Sequence, residues 1–222
     1  VYTKTSLKRL VVEKGRVRAA VVERNGVEEE ITADYFVSTI PLPVLTECMK
    51  GYAPHDVYEA GQSLRYRSIS LVGLLVAKPQ VRPAFFTYFP KLIFNRLSEP
   101  TNHGLKLTQN GRTLLIAETV CSYGDEAWRG GKEFLQAVVD DLLSEGLLQK
   151  KEIVEMHPYG WRYAYPVYTV GFKKNIDSIF AYLKGLGNLH STGRNGSFNY
   201  VNTHVAMQMG MASLDNVRLY MH

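Results

Sequence analysis

Between residues 7 and 38 apolar and polar side chains alternate with a period of two, and two dipeptides suited to tight turns interrupt the alternation. The stretch RVRAAVVERNGVEEEITADYFVSTI is rich in Val and Ile. Lys14-Gly15 and Asn25-Gly26 supply the glycine or left-handed geometry that a short hairpin loop demands. The pattern predicts three strands in an antiparallel meander, followed by a fourth. That fourth strand, YFVSTI, is almost continuously apolar, as a strand covered on both faces is, and Pro41 with Pro43 stops it in a loop of the kind where ligands gather.

The rest of the chain mixes both periods. PHDVYEAGQSLRY (54–66) places Val57, Ala60 and Leu64 at helical spacing after a Pro-His-Asp start. SISLVGLLVAKP (68–79) reads as a buried strand, and AFFTYF, LIFNRLS, TLLIAETVC and IVEMHPY read as shorter ones. Residues 132–148 and 172–186 are amphipathic helices, with Phe134, Val138 and Leu142 on one face of the first and Ile176, Ile179 and Leu183 on one face of the second. Strands running mostly in sequence with helices inserted late predict an α+β fold, a mixed and largely antiparallel sheet with flanking helices.

Composition narrows the function classes. With 222 residues, 45% apolar and 21% charged, the chain can bury a sizeable core. The net charge of +5 is scattered in pairs such as Lys8-Arg9 and Lys173-Lys174, which suits solvated faces better than a nucleic-acid stripe. Cys48 and Cys121 are too few for a disulfide framework and are expected to be buried free thiols. No two histidines stand at metal-ligand spacing and no carboxylate cluster lies beside one, so no metal site is expected. No apolar stretch reaches the roughly 18 residues of a membrane helix, and no secretion leader opens the chain, so a cytoplasmic protein is expected. Val1 in place of Met, leading straight into a strand, predicts a piece of a longer polypeptide.

Three stretches could carry chemistry. STGRNGSFNYVN (191–202) packs Gly193, Arg194, Asn195 and Gly196 between a short strand candidate and a helix-like segment that begins with the capping types Asn202 and Thr203 and continues through Val205 and Ala206. Strand, glycine turn and helix start expose backbone N–H groups to an anion or a polarised carbonyl; alternatively, Gly193 and Gly196 only turn the chain. GLGNLH (185–190) begins like a dinucleotide fingerprint, but its third glycine is His190 and its glycines precede a strand. YGWRYAYPVY (159–168) gathers five aromatic rings around Arg162, which suits either a pocket for a flat or sugar-like ligand or a packed sheet end. Arg96 lies inside an apolar strand, where an unpaired guanidinium would be costly.

Taken in order, ADYFVSTIPLPVL, YRSISLVGLLVA, TYFPKLIFNRLSEPTN, YAYPVYTVG and NLHSTGRNGSFNYVN resemble the C-terminal half of the flavin amine oxidase and protoporphyrinogen oxidase-like superfamily, to which UDP-galactopyranose mutase also belongs. The resemblance implies that residues 1–40 and 187–222, including the C-terminal helix, are parts of a truncated FAD-binding domain, and that 41–186 form a substrate-binding domain. It implies that the flavin end of FAD passes Gly193, Arg194, Asn195 and Gly196, with the helix that opens at Asn202, Thr203 and Val205 aimed at it. Tyr200 falls where the mutases place a tyrosine that touches the substrate diphosphate, and Tyr165 matches the tyrosine of their Tyr-Pro stretch; Arg96 and Arg162, singled out above from their own surroundings, complete the expected substrate-binding set. Asn202 stands where the mutase pattern has aspartate. No residue is assigned as catalytic.

The nucleotide-holding segment of such proteins is absent from these residues, so the implied partners are that N-terminal segment and a small-molecule substrate, and the chain alone is expected to bind FAD weakly and be inactive. The expected function is a fragment of an FAD-dependent oxidoreductase that moves a hydride from a small substrate to flavin. The alternatives are a mutase-like isomerase of a sugar nucleotide and a non-enzymatic module whose aromatic strip docks a peptide or glycan.

Overall fold

A computed structural model describes residues 1–109 and 111–221. Its strands and helices run β1 (Thr5–Glu13), β2 (Arg16–Arg24), β3 (Val27–Thr32), β4 (Phe36–Ser38), α1 (Leu42–Cys48), α2 (His55–Ser63), β5 (Arg65–Val76), β6 (Phe86–Tyr88), β7 (Arg96–Ser98), β8 (Thr113–Cys121), α3 (Glu126–Arg129), α4 (Lys132–Ser144), β9 (Ile153–Val167), α5 (Phe172–Gly185), β10 (Leu189–Ser191), α6 (Gly193–Gly196) and α7 (Thr203–Met221). This is the α+β fold with largely antiparallel sheets that the sequence predicts. The chain divides into two compact units: Val1–Arg65 together with the stretch from Pro166 onward, and Tyr66–Tyr165.

In the first unit, β1, β2 and β3 form the predicted meander. Both residues of each turn have positive φ, Lys14 at 50° with Gly15 at 72° and Asn25 at 52° with Gly26 at 80°. That geometry matches the natural twist of the flanking strands. Val11, Ala19 and Val21 form the buried side of the meander. A second sheet has two strands only, β10 and β4, paired in parallel with Leu189 opposite Phe36 and Ser191 opposite Ser38.

Asn188 ties the two sheets together. Its amide donates to the carbonyls of Val17 and Asp34 at 2.8 and 3.2 Å, and its carbonyl accepts from the Val17 N–H at 2.9 Å.

The loop expected after β4 is instead helix α1. Pro41 precedes its first turn and Pro43 lies within it, where a helix requires no N–H, so these prolines start a helix as well as they end a strand. Burial of Leu42 and Leu45 holds it in place. The last helix, α7, runs well past the expected start at Thr203, Val205 and Ala206, and Met207, Met211, Leu214 and Leu219 along it are exposed. Among the described residues, no helix is long and apolar enough to cross a membrane.

The second unit is built on a five-stranded sheet in the order β6-β7-β8-β5-β9. Register fixes its faces: β5 pairs with β8 so that Val72 meets Ala117 and Leu74 meets Leu115, and β7 pairs with β8 so that Leu97 meets Ala117. These residues pack with Phe94 and with Phe134, Val138 and Leu142 of α4 into a closed core. Each of these valine, leucine and phenylalanine side chains contributes about 1.5–3 kcal/mol on leaving water. The opposite face carries Leu71, Arg96 and Glu118.

Two sequence expectations differ here. LIFNRLS yields a strand of only Arg96–Ser98, because Phe94 turns inward to fill the core. The aromatic cluster becomes part of β9, a 15-residue strand, since aromatic rings favour the pleated surface of a sheet edge.

Candidate functional site

The segment after β10 is built on close approach to the end of β4. Thr192 donates its N–H to the Ser38 carbonyl at 2.9 Å, which extends the parallel pairing by one bond. Gly193 has φ of +76°, a conformation that glycine adopts without strain. The chain then coils into α6 in place of an open turn, and the Ser191 hydroxyl donates to the Gly196 carbonyl at 2.7 Å. A side chain at Gly196 would come within 3.0 Å of the Ser38 carbonyl oxygen and 3.3 Å of the Thr39 Cα. Gly196 is therefore required by the chain's own backbone at the end of β4.

Beyond α6, Phe198 is buried with φ of 50°, and Tyr168 fixes the segment by accepting the Tyr200 N–H at 2.8 Å. The Arg194 guanidinium lies 4.2 Å from the centre of the Tyr200 ring and donates to the Val201 carbonyl at 3.2 Å. A cleft of about 500 Å³ opens here, lined by Arg194, Val201, Asn202, Thr203, His204 and Ala206. Ala206 donates to the Asn202 carbonyl, the first bond of α7, so the N–H groups of residues 203–205 have no acceptor within the helix. Asn202 and Thr203 are exposed and Val205 is half-buried. The residues expected at a cofactor thus sit in two places: Arg194, Asn202 and Thr203 line the cleft, and Gly196 faces Ser38 and Thr39.

The second unit gathers two of the expected substrate residues around a third that the sequence reading missed. Tyr88, Arg96 and Glu118 are successive cross-strand partners on β6, β7 and β8. Glu118 is buried, forms an ion pair with Arg96, and accepts the Tyr165 hydroxyl at 2.8 Å. Phe86 stacks on the Arg96 guanidinium at 4.7 Å. Burial opposes the Arg96 charge, but hydrogen bonding to Glu118 and Tyr88 and the Glu118 charge outweigh it and hold its pKa above the usual guanidinium value.

Arg162 stands apart from this row, with its guanidinium 4.2 Å from the Tyr123 ring and 4.9 Å from that of Tyr163. Both cysteines are buried free thiols, and burial pushes Cys121 up to about 11. Among the described residues, no group of three potential metal ligands comes together.

The fold places this chain beside solved enzymes. It superposes on reduced UDP-galactopyranose mutase with a TM-score of 0.74 and 20% identity, over 90% of this chain and 43% of that one. For a protein from Exiguobacterium sp. 255-15 assigned as a protoporphyrinogen oxidase, the values are 0.63 and 17%, over 95% and 47%. For putrescine oxidase bound to putrescine they are 0.67 and 14%, over 97% and 48%. The chain shares its fold with these three proteins. It spans about half the length of each. The mutase and the protoporphyrinogen oxidase bear the names that the sequence resemblance puts forward. No protein-family model matches the chain, and no curated protein matches it in sequence.

Proposed function

We propose that the chain is the substrate-domain half of an FAD-dependent oxidoreductase. Residues 1–40 and 187–222 belong to its FAD-binding domain, and 41–186 to its substrate-binding domain. The observation that carries this reading is the cleft at the start of α7, where Arg194, Asn202 and Thr203 border N–H groups that have no acceptor within the helix, in the segment that follows the parallel strand β10. Such a cleft fits the polar edge of a flavin: the helix N-terminus and Arg194 supply donors for its carbonyl oxygens, and His204 and Ala206 complete the wall.

Bound FAD supplies the hydride acceptor, and the protein positions the substrate and excludes water. Arg194 is held for this by its stacking on Tyr200, and α6 is held by the contact of Gly196 with the end of β4. The parallel pair β4–β10 supports the partner assignment, because parallel sheets are ordinarily covered on both faces and Val37 of β4 is exposed. The partner is an FAD-binding segment of the same polypeptide.

A second reading, sugar-nucleotide isomerisation, is favoured by the exposed Tyr200 ring over Arg194 beside the cleft. The test is to express the reading frame upstream of Val1 together with these residues and mix the product anaerobically with putrescine or UDP-galactopyranose. Bleaching of the flavin by the amine without added reductant supports the oxidoreductase. Interconversion of the sugar nucleotide only after chemical reduction supports the isomerase, in which case Tyr200→Phe weakens UDP binding. Inertness toward both, in a protein that retains flavin, contradicts both readings of the substrate.

A further inference from the structure

The row Tyr88–Arg96–Glu118 runs across three strands of the five-stranded sheet, on the face opposite the core packed by α4. Glu118 ends the row and links it to Tyr165 of β9. One carboxylate oxygen takes the Arg96 Nη2 and the other takes the Tyr165 hydroxyl from β9, so two side chains from different strands are fixed by one buried group. Arg96 Nε is itself buried and has no acceptor, which leaves the guanidinium dependent on Glu118 for compensation of its charge. About a quarter of the Arg96 side chain stays exposed, 23%, against 10% for Glu118. A surface ion pair would leave both partners mobile; here the carboxylate is sealed into the sheet and part of the Arg96 side chain reaches the surface.

We propose that Glu118 is a positioning residue of the substrate site: it fixes Arg96 and Tyr165 so that the guanidinium N–H groups that Glu118 does not take meet an oxyanion of the ligand. The inference rests on the reading of Arg96 and Tyr165 as substrate-contacting. It separates two roles of a carboxylate beside a cation. A carboxylate that only neutralises Arg96 lowers its affinity for an anion, by charge, wherever the carboxylate sits. A carboxylate that positions Arg96 raises that affinity through geometry, and moving it by one methylene group undoes the effect.

The test uses the polypeptide that joins the upstream reading frame to these residues, labelled at arginine Nε, with inorganic pyrophosphate as the probe and the Arg96 N–H resonance, assigned with Arg96→Lys, as the readout. Glu118→Asp keeps the charge and withdraws the carboxylate, whereas Glu118→Gln keeps the reach and removes the charge. The expected result is a saturable shift of the Arg96 signal in the wild type, weakened about tenfold in Glu118→Asp and as strong or stronger in Glu118→Gln, because the amide still accepts from Arg96 and pairs with Tyr165. Pyrophosphate binding to Glu118→Asp as tightly as to the wild type overturns the positioning role while leaving Arg96 as a substrate contact. An Arg96 signal that ignores pyrophosphate in the wild type overturns the substrate-site reading, and this inference with it.

Discussion

The two sheets that carry the candidate site residues are finished to different degrees. The five-stranded sheet has one face sealed by α4, with Val72, Leu74, Leu115, Val138 and Leu142 fully buried. The β4–β10 sheet has two strands of three residues each, an exposed Val37, and in the same unit a helix, α7, whose Met207, Met211 and Leu214 are exposed at helical spacing. The first sheet is stabilised by its own core. The second is held by specific polar contacts, chiefly Asn188 and the packing of Gly196 on Ser38 and Thr39. A face that the chain itself does not cover is what the proposed FAD-binding segment would bury.

The largest effect should come from the sealed core. Leu142→Ala should cost about 2–5 kcal/mol in denaturant unfolding, whereas Met211→Ala, an equally severe truncation on α7, should stay within about 0.5 kcal/mol. Equal losses at the two positions would end the comparison.

Asn188→Ala comes next. It leaves the N–H and C=O of Val17 without their partner, and at about 1–3 kcal/mol for each buried polar group left unsatisfied it should cost at least about 2 kcal/mol.

Gly196→Ala should cost about 1–3 kcal/mol through overpacking against Ser38 and Thr39, and Gly193→Ala about 1–2 kcal/mol from its left-handed backbone alone. Thermal melts of the two variants would rank them.

The smallest effect is one of pH. Burial lowers the pKa of His190, on β10. Its folded form therefore binds fewer protons than the unfolded chain, so stability is full above about 6.5, the ordinary histidine value, and declines as pH falls from there through the lowered folded value. Urea midpoints against pH should show this decline, and His190→Gln should flatten it.

The elements that could be read from the sequence are those whose cause is local. Lys14-Gly15 and Asn25-Gly26 are hairpin turns because both residues must take positive φ, and few other pairs do so without strain. The helices at 132–144 and 172–185 followed from one apolar face each. Helix α6 could not be read this way, since Gly-Arg-Asn-Gly has poor intrinsic helix preference and is held by the Ser191 hydroxyl and by close packing on β4.

Glu118 was equally hidden. In TLLIAETVC it is the one charged residue of a largely apolar strand, and its partner Arg96 is 22 residues away. A signal did exist, because an arginine inside an apolar strand demands a carboxylate. The adjacent candidate, Glu99, is already taken by the N–H groups of Val81 and Arg82, both at 2.9 Å. Only the register of β7 on β8 decides between the two glutamates.

The most direct measurement is the flavin content of the polypeptide that joins the upstream reading frame to these residues, read from visible absorbance beside that of the 222-residue chain alone. The expected result is stoichiometric bound flavin in the joined protein, little in the chain alone, and a loss of flavin in Gly196→Val of the joined protein. A joined protein that carries an intact nucleotide-binding loop, folds, and purifies colourless would contradict it.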